Sequence, residues 1–105
     1  MAIDDVEEST MSETKLNDQQ IAEALSVLSG WTVDDGKLFK EYVFPNFVEA
    51  FGFMTKAALV VEKMNHHPEW FNVYGKLRVH LTTHELGGIS TRDTKLAEAL
   101  DRLAA

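Results

Sequence analysis

The chain has 105 residues, enough for one domain around one core. A composition of 45% hydrophobic and 26% charged residues is that of an ordinary globular domain, and a formal charge of -7 repels phosphate backbones, so direct nucleic-acid binding is not expected. The absence of cysteine excludes disulfides, thiolate zinc sites and a cysteine nucleophile. No apolar run reaches the roughly 18–20 residues of a membrane span, no signal peptide is visible, and the expected compartment is the cytoplasm.

Five acids and little apolar material fall between Met1 and Lys15, so residues 1–15 are expected to form a flexible acidic leader and residues 16–105 the folded domain. Asn17 or Asp18 caps a first helix, in which Ile21, Leu25 and Leu28 recur at helical spacing until Ser29-Gly30 stops it. Trp31-Thr32-Val33 reads as a short strand. Asp34-Asp35-Gly36 supplies a tight turn, and Leu38 to Phe44 returns as a second strand that Pro45 ends. Asn46 caps the strongest helix, Phe47 to Met64, with Phe47, Ala50, Phe51, Met54, Ala58 and Val61 as its apolar stripe. Asn65 reads as the C-cap, and Pro68 forbids continuation.

Trp70 to Tyr74 and Lys76 to His84 alternate in polarity, with Gly75 turning the chain between them. In the second of these, Leu77, Val79, Leu81 and Thr83 share one face, and Arg78, His80, Thr82 and His84 the other. Ser90-Thr91-Arg92-Asp93 matches a relaxed capping box with Asp at its last position, opening a helix lined by Leu96, Leu100 and Leu103. The order αββαββα predicts an α+β, two-layer fold: a four-stranded antiparallel sheet of two hairpins with helices on one face.

Chemistry concentrates in the histidines. His66 and His67 lie where the long helix gives way to a strand, His84 lies at the expected end of the last strand, and Asp93 opens the last helix. Imidazoles titrate near neutrality and suit proton transfer. Each residue also has a plainer reading: solvated histidines at a turn, a Glu62–His66 pair on a helix face, and Asp93 as the partner of the Ser90 cap. Trp70, Phe71 and Tyr74 read as core or interface. Zinc is disfavoured, because no HExxH or other familiar ligand spacing appears.

These residues also form one spaced pattern. Glu62 stands before Lys63-Met64-Asn65 and His66-His67-Pro68; Tyr74 follows after five residues, His84 after nine more and Asp93 after a further eight. This arrangement, with the flanking stretch AFGFMTKAALVVEKMNHHPEWFNVYGKLRVHLTTHELGGISTRD, resembles the pterin-4a-carbinolamine dehydratase family, animal members included, over about Leu16 to Leu103. The resemblance implies dehydration of 4a-hydroxytetrahydrobiopterin to quinonoid dihydrobiopterin, in tetrahydrobiopterin recycling, with no metal and no other cofactor. It implies His66, His67, His84 and Asp93 as catalytic residues and Glu62, Trp31, Pro68 and Tyr74 as substrate-binding ones. His80 stands outside the pattern, and Arg92 is a lesser candidate for touching substrate or a neighbouring chain. The resemblance further implies a homodimer or homotetramer and, in an animal, nuclear as well as cytoplasmic residence and a second role as dimerisation cofactor of a homeodomain transcription factor.

Overall fold

In chain order the elements are α1 (Asp18–Val27), β1 (Thr32–Asp34), β2 (Lys37–Val43), α2 (Phe47–Met64), β3 (Glu69–Val73), β4 (Lys76–Leu81), a 3-10 turn (His84–Leu86) and α3 (Thr91–Ala104). The computed structural model describes residues 13–105. Each α-helix begins where a side chain satisfies its first free N–H groups. Asn17 and Gln20 cap reciprocally at α1, Asn46 accepts from the Glu49 N–H at α2, and Ser90 and Asp93 complete a capping box at α3.

The sheet is wholly antiparallel, in the order β1-β2-β4-β3. The two hairpins flank it, and the long-range β2–β4 ladder joins them, with Leu38 opposite Leu81 and Tyr42 opposite Leu77. Those four side chains and Val79 are buried, in one core with Leu96, Ala97 and Leu100 of α3 and Phe53, Ala57 and Val61 of α2. The alternate residues Glu41, Val43, Phe71, Val73 and Arg78 are exposed on the opposite face. That is the half-buried pattern of an antiparallel sheet with helices on one side.

Two expectations are corrected. The core face of α2 is Ala50, Phe53, Ala57 and Val61, whereas Phe47, Phe51 and Ala58 are exposed. The helix is apolar around so much of its circumference that periodicity alone does not choose the face; packing on the sheet does. The last strand stops at Leu81, so His84 lies on the 3-10 turn. Continuing the β2–β4 register would place His84 against Asp35, already inside the tight turn where Asp35 and Gly36 both have positive φ. Thr83 instead exchanges backbone hydrogen bonds with Gly88, at 2.9 and 3.2 Å.

The expected leader falls mostly on residues that the structure does not describe. Residues 1–12 lie outside the described residues, but Lys15 bridges to Ser90, and the Leu16 N–H donates to the Ile89 carbonyl at 2.8 Å. The segment from Glu13 is therefore tied to the start of α3.

A second polar cluster lies at the other end of α3. Asp101 accepts from Trp31 Nε1 at 3.1 Å, Lys40 Nζ at 2.9 Å and the Tyr42 hydroxyl at 2.5 Å. Burial, and then the bond to Asp101, push the Tyr42 phenol well above its ordinary value.

Candidate active site

The site begins with the way α2 ends. Asn65 adopts the left-handed conformation, φ 52° and ψ 43°, which its short polar side chain tolerates. The His66 N–H then closes back onto the Val61 carbonyl at 3.2 Å, turning the chain so that the His66 ring points inward. His66 is buried, and its Nε2 lies 2.6 Å from Asp93 Oδ1.

Asp93 is 0% exposed. Its Oδ2 accepts from Thr83 Oγ1 at 2.8 Å and from the Ser90 N–H at 2.9 Å. Counting protons fixes the remaining directions. An ionised carboxylate only accepts, so His66 donates through Nε2–H, and in the neutral ring Nδ1 is then the acceptor. Thr83 spends its one proton on Asp93, so the Ser90 hydroxyl, 2.7 Å away, must donate to Thr83 and accept from the Arg92 N–H at 3.2 Å. No buried side-chain nitrogen or oxygen among the described residues lacks a partner. Asp93 is thus both the capping-box partner of Ser90 and the anchor of the His66 imidazole.

The other two histidines are exposed. His67 Nε2 meets Glu62 Oε2 at 2.5 Å, one helical turn back on α2. His84 Nε2 lies 3.5 Å from Glu69 Oε2, which places the 3-10 turn against the residue that follows Pro68. The Glu69 carboxyl is held below the usual carboxylate range by its hydrogen bond to Lys37 at 2.8 Å. Of the three histidines, only His66 touches Asp93; His67 meets Glu62 and His84 faces Glu69. Among the described residues, no three His, Asp or Glu side chains are grouped as metal ligands.

A cavity of about 410 Å³ opens beside His66, lined also by Glu13, Met64, Asn65, Glu85, Thr91, Arg92 and Lys95. Arg92 Nη2 donates to Glu13 at 2.9 Å, and Nη1 lies 3.5 Å from Glu85. That bond to Arg92 holds the Glu13 carboxyl below its ordinary value, and a bond from its own backbone N–H does the same for Glu85. Neither carboxylate stands out in the sequence as a site residue. Glu13 sits in an acidic stretch that carries no structural signal, and Glu85 is one acid in a loop.

Two expected members lie apart from this group. Tyr74 is 80% exposed in the β3–β4 turn with φ 52°, and the whole of β3 separates it from the histidine end. Trp31 is buried against Tyr42, with its indole N–H on Asp101 rather than near His66. Pro68 is half-buried within the turn itself.

Fold and titratable groups together define an α+β protein whose candidate site offers imidazoles seated on carboxylates. Over residues 14–103 the chain matches the family model described as Pterin 4 alpha carbinolamine dehydratase, and it belongs to that family. Relatives provisionally named pterin-4-alpha-carbinolamine dehydratase include one from Solibacter usitatus, 59% identical over 88% of this chain and 97% of its own length. Another, from Prochlorococcus marinus MIT 9303, is 52% identical over 89% of this chain and 97% of its own. The crystal structure of a transcriptional coactivator/pterin dehydratase from Brucella melitensis superposes with a TM-score of 0.85 at 40% identity, covering 88% of this chain and all of that one. A pterin dehydratase-like RuBisCO assembly factor of the alpha-carboxysome shares the fold, with a TM-score of 0.60 at 21% identity over 71% of this chain and 87% of its own.

Proposed function

We propose that the protein dehydrates 4a-hydroxytetrahydrobiopterin to quinonoid dihydrobiopterin by histidine acid–base catalysis in the cytoplasm, as a step of tetrahydrobiopterin recycling. The observation that carries this reading is the His66–Asp93 pair beside a cavity, in a chain of the dehydratase family. In the reaction a base removes the N5 proton, the freed electron pair forms the N5=C4a bond, and the C4a–O bond breaks. An acid protonates the departing hydroxide, so that water leaves. Each positioned proton donor or acceptor typically contributes about 10²–10⁴-fold.

In this reading His66 and His84 exchange the protons and His67 holds the pterin. Asp93 fixes the His66 tautomer, leaving Nδ1 as the acceptor, much as carboxylates orient catalytic imidazoles elsewhere. Glu62 steadies His67, and Pro68 holds the turn. Tyr74 and Trp31, which lie apart from His66, are given no role in this reading. The test is turnover of chemically generated 4a-hydroxytetrahydropterin, followed by ultraviolet absorbance. His66→Ala and His84→Ala should abolish it while circular dichroism stays native; full turnover in either variant would remove that residue from the acid–base pair.

A second reading, a protein-binding role, draws on the outer face of α2. Phe47, Val48, Phe51 and Leu59 are exposed there, and the Phe47 and Phe51 rings pack 5.5 Å apart. In this reading the face joins subunits into a homotetramer and also takes the helical dimerisation segment of a transcription factor. Sedimentation that finds only monomers would remove the tetramer, and failure to capture such a segment at micromolar concentration would remove the partner.

A further inference from the structure

The cavity beside His66 is walled by two cations and two anions. Arg92 lies between Glu13 and Glu85, and Lys95 follows on the first turns of α3. Their formal charges cancel, so a net charge on a ligand gains little there. A neutral heterocycle whose edge sets an acceptor beside donors gains much more, because each of its polar atoms meets a charged partner. The pyrimidine edge of a pterin has that pattern: a ring carbonyl accepts, and the adjacent ring N–H and exocyclic amino group donate. Guanidinium matches the carbonyl and carboxylate matches the two donors. A cavity of about 410 Å³ falls within the range of small-molecule sites.

Glu13 reaches this wall from outside the histidine pattern. It precedes α1 and is held at the mouth by the Lys15–Ser90 bridge and by its own bond to Arg92. We propose that Glu13 and Arg92 form the specificity edge of the site, Arg92 donating to the pterin carbonyl and Glu13 accepting from the ring N–H and amino group. That seating turns the C4a–N5 bond toward His66. The assignment rests on the dehydratase reading and adds to it the side of the histidine turn on which the pterin lies.

The experiment compares two unreactive probes by calorimetric titration: 6-methylpterin, and 6-methyllumazine, in which an oxo group replaces the 2-amino group. The unmodified protein should favour the pterin by about tenfold or more, since the lumazine oxygen faces a carboxylate. In Glu13→Gln the preference should collapse toward one, because the amide can donate to the lumazine oxygen. A merely structural role for Glu13 would weaken both probes alike and leave their ratio unchanged. Glu85→Gln serves as the control and should keep the preference. Pterin binding with an unchanged ratio in Glu13→Gln, or a ratio that collapses only in Glu85→Gln, would overturn the Glu13 assignment alone. Failure of the unmodified protein to bind the pterin would overturn the dehydratase reading, and this one with it.

Discussion

Asp93→Asn separates what Asp93 does for folding from what it does for His66. One oxygen of the new amide can keep the Ser90 N–H and the Thr83 hydroxyl, now at 2.9 and 2.8 Å. The amide NH₂ must then face His66 Nε2, which has to surrender its proton and become the acceptor. The ring is forced into the other tautomer, with Nδ1 protonated. The charge assistance on three hydrogen bonds is lost, but no group is orphaned, so stability should fall by only about 1–2 kcal/mol. Turnover should fall by about a hundredfold or more, since the wrong tautomer cannot accept the substrate proton. Asp93→Ala is the harsher control. It leaves the Ser90 N–H and the imidazole N–H buried without acceptors, at a loss of about 2–6 kcal/mol. That is a large part of the roughly 5–15 kcal/mol that holds a small domain together. Urea unfolding followed by tryptophan fluorescence reads the stability, and the absorbance assay reads the rate. An Asp93→Asn protein with full turnover would refute the tautomer argument, and one as unstable as Asp93→Ala would refute the claim that the amide keeps the cap.

Three further outcomes follow from the packing. Thr83→Val keeps the volume but strands the Ser90 hydroxyl and removes a donor from Asp93, so the urea midpoint should drop by an amount equivalent to about 1–3 kcal/mol. The raised Tyr42 pKa makes the folded state hold a proton that the unfolded chain releases above its ordinary value of 10.0; the Tyr42 contribution to stability should therefore be constant below pH 10 and be lost as pH rises past it, and in Tyr42→Phe the alkaline decline should shrink when unfolding is measured across alkaline pH. A Cβ at Gly75 would run into the Phe44 carbonyl oxygen, which lies on the backbone and cannot step aside, so Gly75→Ala should cost about 1–3 kcal/mol, read as a lowered Tm.

The elements were legible in the sequence because each one carried its own local signal. Asn17, Asn46 and Ser90 cap as their side chains require, Asn65 and Pro68 end α2, and Asp35-Gly36 turns the first hairpin. What escaped depends on tertiary partners. The choice between Phe51 and Phe53 on α2 is made by the sheet beneath, which periodicity does not see. The expectation that Gly75 turns the second hairpin missed the division of labour there: Tyr74 takes the positive φ, while Gly75 is needed for its lack of a side chain against Phe44. The His66–Asp93 pair was readable as two separate signals, a turn and a cap, but the contact that makes them one group joins residues 27 positions apart. Glu13 gave no signal, because a carboxylate in an acidic stretch acquires meaning only from the arginine it meets.

The strand order has a consequence for how the molecule assembles in time. Each hairpin closes through a short turn and can zip early, within its own stretch of chain. The β2–β4 seam brings Leu38 to Leu81 with all of α2 in between, so its loop entropy must be met before its contacts form. Thr83, the 3-10 turn and the start of α3 all lie beyond that seam. A refolding chain can therefore own both hairpins and most of its helix while Asp93 still has no imidazole to hold. Recovery of catalysis on refolding would then clock the closing of the central seam, not the appearance of secondary structure.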